Sequence, residues 1–269
     1  MVGAPQRPEA WGSSPPFWDA PSQSHELDRS IIRRYNLAMT KNYASEISSP
    51  LSSSHEDYLK AIYILETRGE QVTNSALSEY IGFTPASATN MVKKLAQMDL
   101  VIYRPHQAVA LTPTGRRVAL EILRHHRLLE LFLHKTLDIP WDKVHEEAER
   151  LEHVLSEALE DAIAASLGYP KVDPHGDPIP SKNGEISHTP GLPLSQSEAG
   201  RAYRLVRVLS QEKERLAYLG KLGLHLNVEV FLHEQAPFDG PVLVEVAGEE
   251  HALAADMAAL LQVVPASAE

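Results

Sequence analysis

A chain of 269 residues with 43% hydrophobic content and a formal charge of −11 has an ordinary globular composition and length enough for more than one domain. It contains no cysteine, which excludes disulfides and thiolate metal sites, so any metal must be held by nitrogen and oxygen. The acidic balance argues against a protein that coats nucleic acid or membrane without specificity, but leaves room for one basic face.

Residues 1–50 are rich in Pro and Ser, with Trp11, Phe17 and Trp18 scattered among them, and carry no lasting periodicity. A disordered extension is expected there. No apolar run has the form of a secretory signal or the length of a bilayer span, so a cytoplasmic protein is expected. Met39 is a candidate start, because nothing before it reads as a folded element.

Folded structure is expected from residue 51. Ser52-Ser53-Ser54-His55-Glu56-Asp57 sets serines three residues ahead of acids, a capping box opening a helix whose apolar face, Tyr58, Ile62 and Leu65, runs to about Arg68. By itself Asp57 reads as a cap partner. Val72 to Ile81 predicts a short helix, Gly82-Phe83-Thr84 a turn, and Pro85 to Met98 a second helix capped by Thr84. That second helix turns Ala88, Met91, Val92 and Leu95 inward and Ser87, Thr89, Asn90, Lys93 and Lys94 outward. Hydroxyl and amide side chains near a helix start suit base edges, and lysines further along suit phosphate; a merely polar surface is the competing explanation.

Leu100 to Tyr103, a turn at Arg104-Pro105-His106-Gln107, and Ala108 to Leu111 predict a hairpin. Helix-turn-helix plus hairpin makes a winged helix over residues 51–122. Residues 71–127 hold seven basic side chains (Lys93, Lys94, Arg104, Arg116, Arg117, Arg124, Arg127) against three acidic ones (Glu79, Asp99, Glu121), an excess of four positive charges. In an acidic chain that local excess marks a DNA-reading face, with Arg104 on the wing.

The next helical run, Arg116 to Leu137, carries His126 and Glu130 four residues apart and so on one face. His145 to His153 follows, reading His-Glu-Glu-Ala-Glu-Arg-Leu-Glu-His. At 100° per residue, His145, Glu149, Glu152 and His153 fall within roughly a third of the circumference, while Val144, Ala148, Leu151 and Leu155 form the opposite, buried stripe. Solvated charge explains one such face, but two facing helices with this pattern favour a divalent cation. The His-Glu-x-x-Glu string also resembles a zinc-protease helix, yet lacks the second histidine that chemistry requires.

At Leu111-Thr112-Pro113-Thr114-Gly115-Arg116 the chain resembles the metal-dependent repressors of the diphtheria toxin repressor (DtxR) family, and more closely their manganese (MntR) branch. The resemblance runs from about Ser54 to Val264 through His126-Arg127-Leu128, Val144 to Ala148 and Glu152-His153. It implies a mainly α protein with a small β part: the winged helix, a helical metal-binding and dimerisation domain over 123–168, and an SH3-like (FeoA-like) small barrel over 194–269. Between them, residues 169–193 hold many Pro and Gly and are expected to be a linker. The barrel strands are expected at Tyr203 to Leu209, Val228 to Leu232, Val242 to Val246 and Leu261 to Val264, with a turn at Lys221 to Leu224.

The resemblance also implies a primary metal site of Asp57, Glu149, Glu152 and His153, and an ancillary site of His126, Glu130 and His145 with Glu212 from the C-terminal domain. Glu212 reads alternatively as a helix-start carboxylate. Carboxylates at 57 and 149, where the iron branch has sulfur ligands, favour Mn²⁺ without excluding Fe²⁺. One departure stands out: the manganese branch carries a glutamate where this chain has Lys60, and a fixed cation there opposes a two-metal cluster. The implied mechanism is that one ion ties Asp57 of the DNA-reading domain to the dimer domain and sets a homodimer to grip a palindromic operator. The alternatives are a winged-helix regulator of a small organic ligand and a metal-dependent hydrolase.

Overall fold

The computed structural model of the protein describes residues 51–105, 107–187 and 190–266. The expectations for residues 1–50, including Met39, lie outside them.

Helix α1 (Ser53–Thr67) starts at Ser52 with a capping box closed by a different partner than expected. The Ser52 N–H donates to His55 Nδ1 at 3.1 Å, so a histidine replaces an acid as the reciprocating side chain. Helix α2 (Asn74–Ile81) begins two residues later than its apolar pattern suggested, because Thr73 accepts the Ala76 N–H and fixes the cap. Val72 stays outside the helix and its carbonyl accepts from the Val109 N–H. Gly82, at φ 81°, closes α2, and Thr84 caps α3 (Pro85–Gln97). The wing is shorter than expected: β1 (Val101–Ile102) pairs with β2 (Ala110–Leu111), Val101 opposite Leu111.

Thr112 then caps α4 (Pro113–Leu137) by accepting the Gly115 N–H at 3.1 Å while donating to the Asp99 carbonyl at 2.7 Å. Helix α4 is one uninterrupted element. Its first half packs Val118, Ala119 and Leu123 into a core with Leu59, Ile62, Leu77, Val92 and Leu100. Its second half packs Leu128, Leu129 and Leu131 against Ala148 and Ile163, so the expected boundary at residue 122 falls inside a helix shared by two cores.

Helix α5 (Val144–Leu151) ends sooner than the nine-residue face implied, tightening into a 3₁₀ turn at Glu152–Val154. The change of pitch swings Glu152 inward and leaves Leu151 exposed, contrary to its expected place on the buried stripe. Ser156 caps α6 (Glu157–Ser166).

Within the expected linker, residues 173–180 form a buried strap. Pro and Gly prevent a helix or a ladder there, but side chains satisfy the backbone in their place. Asp173 accepts the N–H groups of His175 and Asp177, and Arg127 and Arg124 donate to the carbonyls of Pro178 and Pro180. Gly176, at φ 87°, passes so close to the β unit that a Cβ would sit 2.2 Å from the Val206 carbonyl oxygen.

The C-terminal sheet is antiparallel, in the order β3 (Leu192–Pro193), β8 (Leu261–Pro265), β4 (Arg201–Val208), β5 (Glu229–Gln235), β6 (Val242–Val246), β7 (Glu249–Leu253). Register shifts at Leu205/Arg207 and Leu232/Glu234 mark bulges, which bend strands round a core of Leu205, Val230, Leu232, Val244 and Leu261. Two helices join this core, α7 (Lys213–Lys221) and α8 (Ala255–Ala259). Trp141, from the α4–α5 connection, belongs to it too, with ring centroids 5.6 Å from His175 and 5.0 Å from His225.

Candidate metal centre

Helices α1, α4 and α5 and the strap bring histidines and carboxylates into three neighbouring clusters: Asp57–Glu152–His153, His126–His145–Glu149 and Glu130–Asp173–His175. In the first, His153 Nε2 lies 2.8 Å from Asp57 Oδ1 and 3.4 Å from Glu152 Oε1. Its Nδ1 is 2.6 Å from Glu56, a neighbour that the sequence pattern did not single out. Asp57 and Glu56 raise the His153 pKa to about 10, so the ring is a cation at neutral pH.

In the second, His126 bridges. Its Nδ1 lies 2.5 Å from Glu152 Oε2 and its Nε2 3.0 Å from both Glu130 Oε1 and His145 Nδ1. Burial alone would keep the ring neutral, but Glu130 and Glu152 outweigh it and raise the pKa to about 9. Burial likewise opposes ionisation of Glu130, and His126 overcomes it, holding that carboxyl well below the usual carboxylate range.

The third cluster, which adds Asp173 and His175 to the expected Glu130, is wholly buried. Glu130 Oε2 stands 4.0 Å from His175 Nδ1, and the Asp173 carboxyl is pushed well above its ordinary range by burial and then by Asp177 and Glu130. Glu130 Oε2, Asp173 Oδ2 and His175 Nδ1 have no hydrogen-bond partner, and Asp57 Oδ1 of the first cluster has none with good geometry either. Orphaned buried atoms of this kind are costly, and a cation with nitrogen and oxygen ligands would satisfy them. The donor set fits a hard divalent ion.

The expected primary set is therefore divided. Asp57, Glu152 and His153 converge, but Glu149 faces His126 at 3.9 Å and His145 at 3.7 Å. Lys60 explains the division: its Nζ, on a side chain 7% exposed, lies 2.7 Å from Glu149 Oε1 and 2.5 Å from Glu152 Oε1. The expected ancillary residues His126, Glu130 and His145 do meet. Glu212 does not join them, because it sits at the start of α7 with its carboxylate 2.9 Å from Arg215.

On the winged helix, Ser87, Asn90, Lys93, Lys94 and Arg104 are exposed as expected. Thr89 is not free to read a base, since its hydroxyl donates to the Pro85 carbonyl at 2.9 Å and accepts from Asn74 at 3.0 Å. Three of the seven basic residues are taken up in ion pairs, Arg124 with Glu160 and Arg127 beside Asp173 and Asp177 in the interior, and Arg116 with Glu66 at the surface. The basic face is thus narrower than the count suggested.

A winged helix joined through one helix to a histidine-carboxylate centre, followed by a small β domain, defines a metal-responsive DNA-binding protein. Family models agree along the chain: an iron dependent repressor N-terminal DNA binding domain at 50–109, an iron dependent repressor metal binding and dimerisation domain at 112–181, and an FeoA domain at 192–265. The chain is 29% identical over 225 residues to the diphtheria toxin repressor of Corynebacterium glutamicum, covering 79% of this chain and 96% of that protein. It is 27% identical over 213 residues to the iron-dependent repressor IdeR of Mycobacterium leprae, covering 75% of this chain and 92% of the relative. Among solved structures, a manganese-dependent transcriptional repressor complex with manganese matches with TM-score 0.72 and 35% identity, over 78% of this chain and 99% of that one. The chain belongs to the DtxR/MntR family of metal-dependent transcriptional regulators.

Proposed function

We propose that the chain is a homodimeric, Mn²⁺-responsive repressor of metal-uptake genes that also accepts Fe²⁺, is not an enzyme, and works in the cytoplasm on a palindromic operator. The observation that carries the reading is the meeting of Asp57, on the first helix of the winged helix, with Glu152 and His153 at the turn after α5. These groups are nearly a hundred residues apart in sequence, so whatever binds them all links the reading domain to the helical domain. A divalent ion supplies the charge that holds carboxylates and imidazole together there. Carboxylate and imidazole donors without sulfur favour Mn²⁺.

The chain's own residues do the rest. Asp57 and His153 orient α1 against the 3₁₀ turn, while His126 of α4 holds Glu152 of that turn and Glu130 of its own helix in place. The exposed apolar side chains Leu151, Val154 and Leu159 all lie between residues 151 and 159 and offer a face for a second copy. Fixing two recognition helices about 34 Å apart, one DNA turn, would match successive major grooves. No helix among the described residues is long and apolar enough to cross a membrane.

The test is operator binding by fluorescence anisotropy with Mn²⁺, Fe²⁺, Zn²⁺ or no metal, using the whole chain and Asp57→Ala. Stimulation by Mn²⁺ that disappears in a still-dimeric Asp57→Ala is expected. Equal binding with and without metal would overturn the reading in favour of an organic effector, and turnover of model esters or peptides would favour a hydrolase.

A further inference from the structure

Lys60 stands between two of the three clusters. It projects from α1, is almost entirely buried, and makes close ion pairs to Glu149 of α5 and Glu152 of the turn that follows it. Each carboxylate belongs to a different cluster: Glu152 to the one with Asp57 and His153, Glu149 to the one with His126 and His145. A lysine this buried is rare unless paired, and here it has two partners and no other polar contact from its ammonium among the described residues.

We propose that Lys60 is a tethered cation that competes with the metal for Glu149 and Glu152, setting how much metal the protein needs before it responds. The inference rests on the metal-responsive reading above. In the empty protein the ammonium neutralises both carboxylates and pins α1 to the turn after α5, doing in part what the ion does. For Glu152 Oε1 to serve an ion beside Asp57 and His153, Lys60 must loosen its hold on that oxygen. Its four-carbon stem lets it shift toward Glu149 without the backbone moving. The same charge, lying within a few ångströms of both clusters, repels an ion entering either. The protein is thereby held to a higher metal threshold than its ligands alone would give.

The experiment compares the full-length wild type with Lys60→Met, Lys60→Gln and Lys60→Arg. It measures Mn²⁺ affinity and stoichiometry by competition with a chelator, and hydrogen exchange of residues 53–67 in the metal-free protein. Lys60→Met and Lys60→Gln should bind Mn²⁺ at least about tenfold more tightly, and α1 should exchange faster without metal. Lys60→Arg, which keeps the charge, should restore slow exchange and weaker binding. Lys60→Gln keeps a hydrogen-bond donor and carries the test if the Met variant does not fold. Unchanged or weaker Mn²⁺ affinity in folded Met or Gln variants, with wild-type binding intact, would overturn the role of Lys60 and leave the metal reading standing. If neither wild type nor variants bind Mn²⁺, Fe²⁺ or Zn²⁺, both fall together.

Discussion

The Nδ1 of His126 lies 2.5 Å from Oε2 of Glu152, so a ring on α4 grips the carboxylate whose other oxygen faces Lys60 and His153. One glutamate thus couples the helix shared by two cores to the turn that meets α1. Its neighbours raise the pKa of that ring, and Asp57 and Glu56 raise that of His153, so on the proposed reading a metal would have to displace their protons.

The first prediction concerns that competition. The pKa values of His126 and His153 are raised to about 9 and about 10, from an ordinary 6.5. Their protonated contacts therefore stabilise the metal-free protein fully below about pH 6.5, and this contribution is lost as pH rises through 9 and 10. Metal needs the rings neutral, so loading should release about two protons at pH 7 and tighten as pH rises. Calorimetry in two buffers of different ionisation enthalpy reads the protons directly; a release of none would contradict the assignment of these rings as ligands.

Metal preference should follow ligand softness. Glu149→Cys places a thiolate beside His126 and His145, and should shift preference from Mn²⁺ toward Fe²⁺ or Co²⁺ by at least about tenfold. Competitive titration measures the ratio, and an unchanged ratio would remove ligand hardness as the basis of selectivity.

Gly115 tests the join between wing and α4. A Cβ there would lie 1.9 Å from the Leu100 carbonyl oxygen, a backbone atom that cannot step aside. Gly115→Ala should cost about 2–4 kcal/mol, at or beyond the usual range for overpacking, because backbone must shift. Urea unfolding of the metal-free protein gives the value, and a loss below about 0.5 kcal/mol would mean the wing is far more yielding than its contacts imply.

On α3, Lys93 and Asn90 should behave differently. Lys93→Ala should weaken binding to all DNA sequences and lower the salt-dependence slope by about 1, whereas Asn90→Ala should relax discrimination at one base position by about 1–3 kcal/mol. Anisotropy titrations against operator and scrambled DNA at several salt concentrations separate the two, and identical effects would argue that α3 does not lie in the groove.

The winged helix was legible because its short elements carry their own punctuation: Thr84 and Thr112 each precede a proline at a helix start, and each caps that helix. The ligand-bearing faces of α4 and α5 were legible from four-residue spacing. What spacing could not show was where a long side chain from another helix would reach, and Lys60 accordingly divides the set expected to act together. Asp173 and His175 were missed for a related reason. They sit in a run whose prolines and glycines erase periodicity, and their burial is imposed by Arg127 and Trp141 from elsewhere in the chain. The alternation Asp173, His175, Asp177 was the available signal. Thr89 is less outward than its helical position implies because Asn74 of α2 bonds its hydroxyl.

Because α4 passes unbroken from the winged helix to the histidine centre, the two ends cannot swing like modules on a string. A helix of 25 residues is about 37 Å long, and a tilt of about 5° at one end displaces the other by about 3 Å. Such a helix can act as a lever that would magnify a small rearrangement around Glu152 at its winged-helix end, so a flexible insertion near the middle of α4 should leave an ion bound but unheard.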